Sequence, residues 1–322
     1  MHIITSIIIV LLITFSSDKI SAQTADLQKY SSVIDTLKVK NKLSFISDDL
    51  TRGRLTGTPG STIVSSYLRK EYERMGLTPF FSETYTQSFP VPGGSIIGRN
   101  IIGVIPSLYY SDEYIIISAH YDHLGMLGGR VYNGADDNAS GVTALLTIAE
   151  MFSQMRLLRE GPRKNIVFAL YDAKESSMAG SEYFAANLPI SRNRITYNIN
   201  IDQIGNTFAP PGDNLNYILY VASPSIRSDL ARRLTNINRF LGLNMQIDHT
   251  FYNSPAFYDI FFRTSDQYSL AKRGVSSIMF TSGIHMHTYK PTDVHYFINY
   301  PVFINRIRLI FYLADNLSRY HR

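Results

Sequence analysis

The chain contains no cysteine, which excludes disulfides, thiolate metal sites and a lipid anchor on a cleaved cysteine. Any metal must therefore sit on histidine and carboxylate groups. Long apolar runs are also scarce. The stretch from Ile7 to Phe15 is apolar apart from Thr14, well short of the about 20 apolar residues that span a bilayer. It reads as the core of an export leader over residues 1–22, with Ser21-Ala22-Gln23 placing a small residue at the cleavage point. Met1-His2 lacks the positive charge such leaders usually carry. The mature chain, residues 23–322, is then expected to be periplasmic or extracellular, with no membrane span after cleavage. A strong charge of either sign is missing too. The net charge of +5 is modest, and the arginine pairs Arg192/Arg194 and Arg232/Arg233 read as ordinary solvated faces, which argues against nucleic acid as a partner. No repeat, low-complexity tract or charged linker divides residues 23–322, so they are expected to form a single domain.

What is present is an alternation of buried strands and amphipathic helices. Residues 100–105, 114–118 and 166–171 are continuous apolar runs of the kind buried on both faces of a sheet. Tyr197–Ile201, Tyr217–Val221 and Ile278–Phe280 are further strand candidates. Helical spacing marks Ser61–Met75, Val142–Phe152, Met178–Leu188, Ser225–Phe240 and Val302–Leu317. Strands alternating with helices predict an α/β fold with a mostly parallel central sheet flanked by helices. Ligands of such sheets bind beyond the carboxyl ends of the strands. His120, Lys174-Glu175 and Asp202 each follow a predicted strand, so they are expected to converge on one edge.

Imidazole is a good zinc donor, and Asp122, two residues after His120, is placed to hold the other ring nitrogen from behind. Asp137 stands before a predicted helix, where Asn138 and Ser140 also offer a plain capping turn. Singly, each of these residues has an ordinary structural reading. In order, they form a pattern.

That ordered pattern resembles the zinc exopeptidases that include bacterial leucyl aminopeptidases and, more distantly, glutaminyl cyclases and glutamate carboxypeptidase II. The likeness begins near Arg54-Leu55-Thr56-Gly57-Thr58-Pro59-Gly60 and passes through Gly98-Arg99-Asn100. It continues in His-Tyr-Asp-His-Leu-Gly at 120–125 and Gly-Ala-Asp-Asp-Asn-Ala-Ser-Gly at 134–141. Ala173 to Ser181, Asn200 to Gly205, Ser265-Asp266 and Pro291-Thr292-Asp293 complete it. The resemblance implies two metal ions bridged by Asp137, with His120 and Asp202 completing one position. Glu175 and a late histidine would serve the other, and a glutamate just before Glu175 would act as general base.

Three positions depart from that implied set. Lys174 stands where the resemblance puts the general base, Tyr289 where it puts the late histidine, and Gln267 where it puts a histidine after Ser-Asp. His285 and His287 lie just upstream of Tyr289, and with His295 they are expected to hydrogen-bond within their loop. A protonated lysine cannot accept a proton from water. It also repels a neighbouring metal: two unit charges 4 Å apart interact by about 4 kcal/mol at an effective dielectric of 20, and a divalent ion feels about twice that. The expectation is one zinc on His120, Asp137 and Asp202, an empty second position, and the Lys174 ammonium standing near Glu175 in its place.

The expected function is accordingly an exported, aminopeptidase-like family member with impaired or lost peptidase activity. Its partner would be a peptide or small molecule, and the non-enzymatic transferrin receptor is a precedent by resemblance. The alternative is a one-metal hydrolase with another base, for which Asp136, Asp172 or a lysine of lowered pKa are candidates. The aromatic stretch from Phe251 to Phe262 either lines a pocket for an apolar side chain or packs on the core.

Overall fold

Apolar runs of five to nine residues cannot leave their backbone groups unpaired once buried, so they pair with one another. In the computed structural model, which describes Tyr30 and residues 34–319, they build one mixed sheet. The expected leader over residues 1–22 lies outside the described residues. In chain order the strands are β1 (Thr78–Pro79), β2 (Thr86–Pro90), β3 (Ile97–Ile105), β4 (Tyr114–His120), β5 (Gly125–Leu127), β6 (Arg130–Tyr132), β7 (Asn165–Tyr171), β8 (Ile195–Ile201), β9 (Tyr217–Ala222), β10 (Gln246–Asp248) and β11 (Ser277–Thr281). The helices are α1 (Thr36–Ile46), α2 (Pro59–Arg74), α3 (Gly141–Leu157), α4 (Ala179–Ala186), α5 (Arg227–Phe240), α6 (Pro255–Arg263), α7 (Gln267–Ala271) and α8 (Tyr300–Arg319).

The main sheet runs β1-β3-β7-β4-β8-β11-β9-β10, with β2 also on β3, while β5 and β6 form a separate hairpin. Its centre is parallel: β4 pairs with both β7 and β8, and β8 with β11. On either side the direction reverses, because β3 joins β7 antiparallel and β9 joins β11 antiparallel. Two of the three continuous apolar runs became the parallel strands β4 and β7, while the third became the antiparallel β3; β7 and β11 are buried along their whole length. A strand covered on both faces needs no polar alternation.

One face of the sheet packs against α1, α2, α3, α5 and α8, whose Val39, Leu43, Val64, Leu68, Leu145, Leu234 and Ile310 belong to the largest core cluster. The other carries α4 and α7 through Phe184 and Leu270. Helix α3 is buried from Gly141 to Ala149, as the central helix of the thick side must be. Helix α5 buries only Leu230, Leu234 and Ile237, one stripe at helical spacing. The aromatic stretch contributes to the core: Phe251 and Tyr258 pack with Tyr217, Leu219, Val221 and Met279, and Phe251 lies 4.2 Å from the Phe261 ring. No helix among the described residues is long and apolar enough to cross a membrane.

Candidate metal centre

Three neighbouring parallel strands, β7, β4 and β8, end side by side, and each delivers its polar residue where it stops. His120 is the last residue of β4, Lys174-Glu175 follow β7 and Asp202 follows β8. Asp137 comes from a kinked helical turn over Ala135–Ser140 that leads into α3. The structure thus brings together the predicted set from four separate segments.

The distances are those of a cation site. His120 Nε2 lies 3.5 Å from Asp137 Oδ1 and 3.4 Å from Asp202 Oδ1. Bonds of about 2.0–2.1 Å to a tetrahedral zinc place ligand atoms about 3.3–3.4 Å apart. All three atoms are buried and lack any hydrogen-bond partner in the protein, a condition that buried polar atoms rarely tolerate. The donor set and its spacing fit a divalent metal. Glu175 also comes close, its carboxylate lying within 4.8 Å of the ligand atoms of His120 and Asp137.

The tautomer follows from what lies behind the ring. His120 Nδ1 faces the Asp122 carbonyl at 3.2 Å, and a carbonyl only accepts, so the proton belongs on Nδ1 and Nε2 presents its lone pair to the site. The Asp122 carboxylate is 3.6 Å from Nδ1 and is occupied elsewhere: it accepts from the backbone N–H groups of Lys174 and Glu175, both at 3.0 Å. Asp122 therefore ties the end of β4 to the segment after β7. Burial and the Lys174 ammonium push the His120 pKa down, yet the adjacent carboxylates of Asp122, Asp137 and Asp202 leave it well above its ordinary value. Asp137 and Asp202 move the opposite way. Burial pushes each up, but Lys174 and His120 hold both carboxylates below the usual range.

Lys174 turns inward. It is 8% exposed, its Nζ donates to Glu175 Oε1 at 3.0 Å and approaches the Tyr289 hydroxyl at 3.4 Å, and it stands 5.6 Å from the centre of the Tyr289 ring. Burial lowers its pKa, but Asp137, Asp202 and Glu175 raise it well above the ordinary value. Glu175 is pushed up to about 7 by burial and by Asp137, against the pull of Lys174 and His120. Tyr289, at a left-handed φ of 59° and half exposed, closes over this pair, so its side chain reaches the site.

The upstream histidines face elsewhere. His285 Nε2 is 3.2 Å from Asp136 Oδ2 and its Nδ1 accepts from the His287 N–H. His287 bonds to Thr292 Oγ1 at 2.9 Å and stacks on Phe297, while the His295 ring lies tilted against Tyr296 and, contrary to the expected loop hydrogen bond, its Nδ1 has no hydrogen-bond partner among the described residues. Gln267 is buried and braced by the carbonyls of Phe261 and Phe262 and by the Asn200 amide. The two carboxylates named as candidate bases are committed. Asp136 receives Gly205 N, Asn206 and Ser282 besides His285, and Asp172 receives Thr56, Arg99 N and Ala173 N.

Four supporting residues have roles that sequence reasoning did not give them, although it named Asn138 as a cap. Asp293 accepts from the backbone N–H groups of Asp136 and Asp137 at 2.9 and 3.0 Å, clamping the turn that carries Asp137. Asn138 joins that turn to β8 through Ile201 O and Gln203 N. Arg54, fully buried, donates to the carbonyls of Ile46, Tyr121, Asn133 and Gly134. His123 is buried beside Asp137, with Nδ1 4.0 Å from Oδ2. All four lay inside the quoted motifs, but nothing in a motif says which group a side chain will reach.

The sequence profile of peptidase family M28 matches residues 100–314. The chain is 26% identical over 201 residues to the alkaline phosphatase isozyme conversion protein of Escherichia coli strain K12, covering 56% of this chain and 53% of that one; it thus spans about half the length of this relative. Among solved structures it is similar to the Legionella pneumophila LapA aminopeptidase, with a TM-score of 0.69 at 15% identity over 92% of this chain and 76% of that one. A zinc-dependent exopeptidase from Parabacteroides distasonis gives a TM-score of 0.65 at 18% identity, covering 88% and 98% respectively. At these identities the structural likeness is one of fold.

Proposed function

The chain belongs to peptidase family M28, and from that premise we propose that it is an exported, metal-binding member whose peptidase activity is impaired or lost. One observation carries the proposal: at the position where the family resemblance puts the general base, the buried Lys174 ammonium points into the metal centre and pairs with Glu175. An ammonium has donors only, so it cannot take the proton from an attacking water. Tyr289 occupies the position of the late histidine and spends its hydroxyl on Lys174 rather than on a second ion.

His120, Asp137 and Asp202 would hold one zinc ion, which supplies Lewis acidity to whatever donor atom it meets. His120 is oriented by the Asp122 carbonyl, Asp202 is fixed by the Ser265 hydroxyl and Asp137 by its clamped turn. The ligand is a peptide or small molecule with a group that can enter this position. Export would leave a mature chain starting at Gln23, readable by mass spectrometry.

A second reading, hydrolysis with one metal, has Glu175 as its base, since that carboxylate lies beside the site and its one side-chain partner is Lys174. One assay decides between them. Release of free amino acids from a peptide panel, with zinc added, is measured for the natural chain and for Lys174→Glu combined with Tyr289→His. Release by the double variant alone supports a disabled centre. Clear release by the natural chain, abolished by Glu175→Gln, overturns it.

A further inference from the structure

His123 has no structural occupation. It is fully buried, and neither ring nitrogen has a hydrogen-bond partner in the protein. Buried imidazoles normally satisfy at least one nitrogen. The ring lies parallel to Tyr289, with centroids 6.4 Å apart, and its other edge is against Gly134. Gly134 has a φ of 55°, and a methyl group there would come 2.6 Å from the His123 ring and 2.2 Å from the Asp137 carbonyl. The bare glycine thus lets the His123 ring lie close against the turn that carries Asp137. There, Nδ1 faces Asp137 Oδ2 at 4.0 Å, and Oδ2 is likewise unpartnered. The gap is too long for a hydrogen bond. A tetrahedral zinc with bonds of about 2.0–2.1 Å needs the two atoms about 3.3–3.4 Å apart, so a rotation that draws them together by about 0.6 Å closes the gap.

We propose that His123 Nδ1 and Asp137 Oδ2 form a second, weaker divalent-metal position, reached through a histidine of the His-Tyr-Asp-His stretch and not through residue 289. Asp137 then bridges, with Oδ1 toward His120 and Oδ2 toward His123. Glu175 lies within 4.8 Å of the ligand atoms of His120 and Asp137, and Lys174 holds it at 3.0 Å. The Lys174 ammonium therefore opposes occupancy by placing a positive charge near Asp137. The inference rests on the reading that His120, Asp137 and Asp202 hold the first metal.

Calorimetric titration of the metal-free full chain with zinc tests both layers, and cobalt absorption repeats it with a spectroscopic signature of the ligand set. The natural chain is expected to give one tight event and one at least 100-fold weaker. His123→Phe, which keeps a ring against Tyr289, and His123→Gln should each remove the weak event and leave the tight one. Lys174→Met should strengthen the weak event at least tenfold. A weak event that survives both His123 variants overturns the proposal, as does the lack of a second event in Lys174→Met, the result expected if only a water bridges the two groups. Loss of the tight event in the natural chain overturns the first-site reading, and this proposal with it.

Discussion

Asp137 is flanked by His120 on one oxygen and by His123 beyond the other, yet no hydrogen bond from the protein reaches its carboxylate. Its position is set from behind. Asp293 receives the N–H groups of Asp136 and Asp137, and burial with the neighbouring Asp136 carboxylate pushes the Asp293 pKa up to about 7. Groups of this kind, which orient a ligand without touching the metal, change affinity about 10–100-fold when removed. Asp293→Ala should weaken the first zinc by that factor, measured by competition with a chelating dye, while leaving His120 and Asp202 in place. An unchanged affinity would mean that the turn holds Asp137 without the clamp. Lys174 works at the same scale with the opposite sign, as a fixed cation among Asp137, Glu175 and Asp202.

At the scale of elements, three helices on the thick side meet at one carboxylate. Glu150 of α3 pairs with Lys42 of α1 at 2.7 Å and with Arg74 of α2 at 3.2 Å. Burial raises its pKa, but hydrogen bonding and charge from Lys42 and Arg74 outweigh that and leave it lowered. A carboxylate with a depressed folded-state pKa adds stability above its unfolded value of about 4.3, lost as pH falls through the folded value. The group is partly solvated, so Glu150→Gln should cost only about 0.5–1 kcal/mol at neutral pH. That cost should vanish in acid, as urea unfolding at both pH values would reveal; a cost that persists in acid would assign it to packing.

The elements also show what could be read beforehand. β4 and β7 announced themselves as continuous apolar runs and β8 as a further strand candidate, and the placement of His120, Glu175 and Asp202 after their ends followed from the sheet geometry. Helix α1 escaped notice although Val39, Leu43 and Ile46 keep helical spacing, because polar residues and the exposed Leu37 dilute its stripe. The reversal of β9 against β11 was not legible, since strand direction depends on the path of the connection and not on the residues of the strand. Motif order brought Lys174 and Tyr289 to one place but not the direction of their side chains. That His123 belongs beside Asp137 depends on the close approach at Gly134, a contact between segments that no local pattern records.

For the whole molecule, the mixed sheet forms a rigid floor, and the site is assembled from segments distant in sequence that meet only in the folded state. A metal bound there stabilises the fold alone, by about 2.7 kcal/mol at a free concentration 100 times its dissociation constant. The most direct measurement of the central claim is the zinc content of the purified natural chain after exhaustive dialysis against metal-free buffer. One zinc retained per chain is the result expected of a centre in which the Lys174 ammonium takes the place of a second tightly held ion. Two zinc ions retained per chain would contradict it.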